Sequence, residues 1–394
     1  MMILGCEALL ADSKKIQNLK GKKIAMVVGP ASVNSQLQNS FKEFLKAGLS
    51  INILIGLQHG FDGDKQDNMV ETPHQLDKNN ALPVYSLYSK TRRLSKEMLS
   101  QFDVLLFDIQ DVGCRIYTYL TSLFYILEDC EAANKEVWIL DRPNPVGRKA
   151  EGFLLQKQWK SFVGAAPILL QHGLTLAEAA LWYKKEKDLK THLTIIPMVN
   201  YNINDQPWPK HLSWINPSPN LPRLSSTIVY PGSVLIEGTT LSEGRGTTRP
   251  LEVIGAPYLN TKKILEILKN DFAKYTQHCV IREMHFEPSF HKFKAQTCKA
   301  LQIHVDHPGY TQDFQAFRLV AILLKIIKSL YPNKELWSQP PYEYEYKKLP
   351  IDLISGCDFL RKWVESTDSI DLLEDKLQSD KAQWVNSRKD YLLY

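Results

Sequence analysis

INILIGLQHGFDGDKQD, residues 51–67, passes abruptly from hydrocarbon to polar chemistry. Ile51 to Leu57 is almost wholly apolar, the pattern of a strand buried on both faces. Gln58, His59 and the aspartates Asp62, Asp64 and Asp67 follow at once, with Gly60 and Gly63 loosening the turn. Similar runs stand before and after it. KIAMVV (23–28), PVYSLY (83–88), VLLFDI (104–109) and VWIL (137–140) read as further strands. SFKEFLKAG (40–48) puts Phe41, Phe44 and Leu45 on one helical face and stops at Gly48, and 116–133 carries Tyr119, Leu120, Leu123, Leu127 and Cys130 at helical spacing. Buried strands alternating with helices predict right-handed βαβ units and an α/β fold: a Rossmann-like, doubly wound parallel sheet.

Pro207, Pro209, Pro217, Pro219 and Pro222 exclude regular structure from 205–225, which reads as a structured crossover. Beyond it come strand-like pieces, glycine-rich turns and helices near 261–274, 314–331 and 356–365, so a second α+β domain is expected, with domains at 1–226 and 227–394. The apolar helix at 314–331 carries Arg318, Lys325 and Lys328, which suits a buried amphipathic helix better than a membrane span.

A net charge of +5 on 394 residues is too small to argue for a nucleic-acid partner, and no RNA-binding signature is present. The six cysteines are scattered without a C-x-x-C pair, as expected of free buried thiols. GPASV (29–33) follows the first strand in place of G-x-G-x-x-G, and neither a phosphate-binding loop nor a G-x-S-x-G elbow occurs, so no cofactor is expected. No leader with a basic start and a full apolar core is evident, which makes the cytoplasm the expected compartment, or the periplasm had a leader been removed.

In open α/β sheets ligands bind beyond the carboxyl ends of the strands. Gln58 and His59 end one strand; Asp108, Gln110 and Asp111 end another; Asp141, Arg142 and Asn144 end a third. A second polar stretch, Glu237 to Thr247, sets Glu243 and Arg245 among glycines that permit close backbone approach. The expectation is that Gln58, Asp111, Arg142 and Glu243 converge around one hollow. A metal-assisted site built on His59, Asp62 and Asp64 is a weaker reading, since their spacing matches no calcium loop and no metal ligand is assigned.

QHGFDGDKQDN (58–68), LPVYSLY (82–88), DVLLFDIQDVGCRIYTYL (103–120), DRPNPVG (141–147), HGLT (172–175), NPSPNLP (216–222), YPGSVLIEGTTLSEGRGT (230–247) and GAPY (255–258) occur in one order over essentially the whole chain. In these motifs the sequence resembles the NamZ family of exo-β-N-acetylmuramidases. The resemblance implies a Rossmann-like domain, an α+β domain and a cleft between them. It implies a glycoside hydrolase that releases terminal N-acetylmuramic acid from a peptidoglycan-derived saccharide. Many members have Glu-His-Gly-Phe where this chain has Gln58-His59-Gly60-Phe61, and that glutamate is a favoured catalytic acid. Glutamine has no titratable proton, so another carboxyl takes the role, the substrate differs, or the chain is a weakly active or non-catalytic muropeptide binder. With the resemblance, the candidate catalytic residues are Gln58, His59, Glu71, Asp111, Glu237 and Glu243, of which Glu71, Glu237 and Glu243, together with Asp64, are the substitutes for a missing acid. The candidate substrate-binding residues are Asp64, Asp108, Gln110, Arg115, Tyr117, Arg142, Asn144, His172, Asn220 and Arg245. The lactyl carboxylate of N-acetylmuramic acid calls for an arginine fork, for which Arg115, Arg142 and Arg245 are the candidates.

Overall fold

The computed structural model describes residues 1–66, 69–306 and 313–394; Asp67 lies outside them. Twelve strands are named in chain order: β1 Ile24–Val27, β2 Ile51–Gly56, β3 Gln75–Asp77, β4 Leu82–Ser86, β5 Val104–Phe107, β6 Glu136–Leu140, β7 Glu151–Leu154, β8 Leu169–Gln171, β9 His192–Ile196, β10 Val253–Ala256, β11 Val280–Phe286 and β12 Cys298–His304. The large sheet has the order β3-β4-β2-β1-β5-β6-β9, parallel throughout except for the edge strand β3. The predicted strands are all present, with ends displaced by one or two residues. β3, β9 and the β7–β8 hairpin were not foreseen.

Alternation explains why the strands are apolar throughout. Ala25, Val27, Ile53, Ile55, Leu105, Phe107, Val137 and Ile139 feed the core on one face. Ile24, Met26, Leu54, Val104, Leu106, Trp138 and Leu140 feed the core on the other. A sheet covered on both sides has no solvent face to mark with polar residues. The helices Ser40–Lys46 and Tyr119–Ala132 cover it where periodicity placed them. The N-terminal stretch forms the helices Gly5–Ala11 and Ser13–Leu19. A Cβ at Gly5 would lie 2.4 Å from the backbone nitrogen of Asp141, so only glycine lets this helix press against the end of β6.

The proline-rich crossover carries no helix or strand until Leu224, as predicted, and is held by indole bonds from Trp208 to Leu212 O and from Trp214 to Leu221 O, both 3.0 Å. The second domain sets the antiparallel sheet β10-β12-β11 beside the helices Leu224–Ser233, Thr261–Asp271 and Ala316–Leu330. In the last of these, Arg318 is buried and paired with Glu151 and Glu374, which is how a cation sits inside an apolar helix. The helix Ile370–Arg388 then crosses back to the first domain, packing on β7, with the Trp384 indole donating to His172 O at 2.8 Å.

Candidate active site

The chain leaves β2 through Leu57 and turns sharply at His59 and Gly60, with φ of +71° and +83°. Left-handed backbone is costly for a histidine, and such strain gathers where side chains must be aimed. The turn brings Gln58 and His59 into a narrow cavity between the two domains. Its other walls come from Tyr117 after β5, from Asn220 of the crossover, from Tyr230, Glu237 and Arg245, and from Tyr342 and Glu343. The hydroxyl of Tyr119 ties two walls together, 3.2 Å from Gln58 O and 3.0 Å from Pro217 O.

Gln58 is fully committed. Its Oε1 accepts from the Thr118 hydroxyl at 2.6 Å, and its Nε2 donates to Glu343 Oε1 at 3.0 Å and to the Tyr88 hydroxyl at 3.1 Å. Tyr88 in turn donates to Glu343 Oε2 at 2.7 Å. Burial pushes the Glu343 carboxyl up to about 7, opposed by the Tyr88 hydrogen bond and reinforced by the charge of Glu237. Glu343 itself has φ +43° and its neighbour Tyr344 +67°.

His59 donates through Nδ1 to Lys65 O at 2.8 Å; a carbonyl only accepts, so the ring proton is on Nδ1 and Nε2 keeps its lone pair. Burial lowers its pKa to about 4, so the imidazole is neutral near pH 7. Arg245 bridges both carboxylates of its stretch, with Nη2 at 2.7 Å from Glu237 and Nε at 3.2 Å from Glu243, and Nη1 donates to Gln66 O at 3.1 Å. Glu237 also accepts from the Tyr342 hydroxyl at 2.7 Å. Burial pushes the Glu243 carboxyl up, but Lys292, Arg245 and His291 outweigh it and hold it below the ordinary value.

The expected convergence is therefore corrected. Of Gln58, Asp111, Arg142 and Glu243, only Gln58 lines this cavity. Glu243 stands behind Arg245 and is neutralised by Arg245 and Lys292. Asp108 and Arg142 form a buried ion pair, Nε to Oδ1 at 2.6 Å, that stands in the crevice beyond β1 and β5 with Ser32 and Cys6 against it. That crevice is where the strand order reverses, so an internal ion pair stands at the expected ligand position of the sheet, beside a small hollow lined by Gln110 and Arg142. Gln110 donates to Asp111 O and Pro143 O, at 2.8 and 2.7 Å. Asp111 accepts from Gly113 N at 2.8 Å and faces His172 Nε2 at 3.5 Å. Asn144 donates to Leu174 O at 2.9 Å, and Arg115 spends its guanidinium on Phe153 O, Ile168 O and Ile354 O. These groups brace turns rather than face the cavity. Glu71 and Asp64 are on the surface, near Arg92 and Lys65, too exposed to act inside. His59, Asp62 and Asp64 bond separately to Lys65 O, Gln75 and Lys65, so they do not share a metal position. Tyr117, Asn220, Glu237, Arg245, Gln58 and His59 are the candidates that the fold brings together. Glu343, Tyr342, Tyr88 and Thr118 were not nominated, and with Tyr230 they complete the set. The alternation Tyr342-Glu343-Tyr344-Glu345-Tyr346 after Pro340-Pro341 was the available signal for the first two.

Two carboxyls and a guanidinium among tyrosine rings, enclosed between a Rossmann-like and an α+β domain, define an α/β protein with a site of the kind that works on glycosidic bonds. The chain belongs to the NamZ family: the N-terminal model of the exo-β-N-acetylmuramidase NamZ matches residues 24–225 and the C-terminal model residues 228–394. The peptidoglycan β-N-acetylmuramidase NamZ of Bacillus subtilis (strain 168) is 35% identical over 393 residues, spanning 99% of this chain and 91% of its own. Crystal structures of two DUF1343 family proteins from Bacteroides fragilis NCTC 9343 superpose along the whole chain. One has a TM-score of 0.85 at 27% identity and the other 0.75 at 26%, each with 99% of its length covered. Likeness to an enzyme over the full length does not favour the non-catalytic binder.

Proposed function

We propose that this chain is an exo-acting β-N-acetylmuramidase, hydrolysing the bond that links a terminal N-acetylmuramic acid to the rest of a peptidoglycan fragment. The observation that carries the reading is the cavity itself: Glu237 and Glu343 line one enclosed space with Arg245, in a chain matched along its length by both family models. Glycoside hydrolysis uses a pair of carboxyl groups flanking the bond, one to protonate the leaving oxygen and one to serve at the anomeric carbon. Arg245 faces the cavity with one hydrogen on each Nη beyond its bonds to Gln66 and Glu237, a fork suited to the lactyl carboxylate. Tyr117 and Tyr230, with rings 6.3 Å apart at 89°, supply walls for the sugar.

The test is turnover of an aryl β-N-acetylmuraminide and of a muropeptide with a terminal N-acetylmuramic acid, next to the matching N-acetylglucosaminide. Release from the first two and little or none from the third is expected, because the third lacks the lactyl group. Equal rates on both sugars, or no turnover of any, would sink the reading.

A further inference from the structure

We infer that Glu343 is the catalytic acid of this site, the carboxyl that protonates the leaving glycosidic oxygen, with Gln58 as the residue that positions it. The assignment rests on the glycosidase reading above. Gln58 occupies the strand-end position where an acid was expected, and it carries no titratable proton. Of the substitutes nominated from sequence, Glu71 and Asp64 are outside the cavity, and Glu243 is held by Arg245 and Lys292 behind its wall. Two carboxyls remain in the lining, and their surroundings divide the work. Glu237 is paired with Arg245 and suits the charged role. Among the described residues no lysine or arginine nitrogen forms an ion pair with Glu343, whose contacts are an amide and a phenol.

Hydrogen-bond directions show how the carboxyl is aimed. Because Thr118 donates to Gln58 Oε1, the amide must present its nitrogen to Glu343. Tyr88 accepts from Gln58 Nε2 and from Met69 N, so its one hydroxyl hydrogen is left for Glu343 Oε2. Each carboxyl oxygen thus receives one donor and keeps a second lone-pair site, where an acidic proton can reside. A glutamate in place of Gln58 would set two carboxyls against each other, and one proton would be shared between them. The amide removes that sharing and leaves Glu343 as the titrating member of the pair. Burial keeps it protonated to about pH 7, the range in which a general acid is effective. The left-handed backbone at Glu343 and Tyr344 is the strain expected where a side chain must be held in one orientation.

The proton passes from Glu343 to the glycosidic oxygen as the bond to the anomeric carbon breaks, and the bonding pair stays on that oxygen. Water adds its oxygen to the anomeric carbon and gives a proton to the Glu237 carboxylate. That proton returns through solvent to Glu343. One water is consumed, and a free sugar and an alcohol are formed.

The experiment compares wild type, Glu343→Gln, Glu343→Asp and the exchange variant Gln58→Glu/Glu343→Gln on two β-N-acetylmuraminides. One carries a sugar leaving group, which needs protonation; the other carries dinitrophenolate, which does not. General-acid help is worth about 10²- to 10⁴-fold. Glu343→Gln should therefore lose about 100-fold or more in kcat on the sugar leaving group and less than about 10-fold on dinitrophenolate. The fall of kcat/KM above pH 7 should vanish in Glu343→Gln and persist in Glu343→Asp, and the exchange variant should regain part of the loss. Should Glu343→Gln not fold, Glu343→Asp carries the same leaving-group comparison. A loss equal on both substrates, or no loss, in an active enzyme overturns the assignment alone. No turnover by wild type on either substrate overturns the glycosidase reading and this assignment with it.

Discussion

Asp108 and Arg142 are both essentially excluded from solvent, at 0% and 5% exposure, and each answers the other's charge. Removing one partner of such a pair leaves an uncompensated buried charge, at a cost of about 3–5 kcal/mol. Asp108→Ala should therefore lower the melting temperature markedly, read by calorimetry, whether or not substrate is present. A variant with unchanged stability and altered substrate affinity would show that the pair serves a ligand instead. Individual side chains were legible to unequal degrees. Gln58 and His59 stood out because they end an apolar strand abruptly. Asp108, Arg142 and Asn144 stood out for the same reason and proved to brace turns, since strand-end polarity marks buried ion pairs and caps as readily as sites. Glu343 was illegible because its importance comes from burial against Tyr88 and Gln58, more than 250 positions away in the chain, and no local pattern records that meeting.

The segment that carries Arg245 depends on its glycines. Gly246 has φ +79°, and a Cβ there would lie 2.8 Å from the backbone of Phe290. Gly246→Ala should cost about 1–3 kcal/mol and lower kcat/KM, by displacing the guanidinium next door. Gly48 is the control: at φ +80° it has nothing within 4 Å, so Gly48→Ala should cost about 1 kcal/mol with full activity. If both variants behave alike, the crowding at Gly246 has no bearing on the site. Elements were legible where one period dominated. The strands of the large sheet are continuous apolar runs, and the helix Ala316–Leu330 has an apolar face too strong to miss. The helix Ile370–Arg388 escaped notice because its buried face includes Asp380 and Arg388 beside Leu373, Leu377 and Trp384. Buried charges on the inward face erase the contrast on which periodicity relies.

At the scale of the molecule, the last 25 residues fasten the second domain to the first. Trp384 and Arg388 hold His172 O, Arg388 also holds Arg148 O, and the Tyr394 hydroxyl donates to Asp141 at 2.8 Å. Burial of Leu373, Leu377 and Trp384 alone is worth roughly 5–8 kcal/mol. Deleting 370–394 should lower the melting temperature by about 10 °C or more and broaden a single cooperative transition. A truncated chain that melts like the whole would mean that the strap contributes nothing. Such a strap was invisible in a reading that divided the chain at 226 and 227, because domain division by sequence follows order along the chain while packing does not.

The arginine wedged beyond β1 and β5 has one more consequence. A Rossmann-like sheet normally offers its topological notch to a guest, and here an internal ion pair stands in that notch. The sheet is thereby reduced to masonry: it carries the turn after β2 at a fixed height and orientation, while chemistry is contributed from the far side by residues around 237–245 and 342–343. Single side chains meet across that seam, as Gln58 and Glu343 do, while the wall itself takes no part.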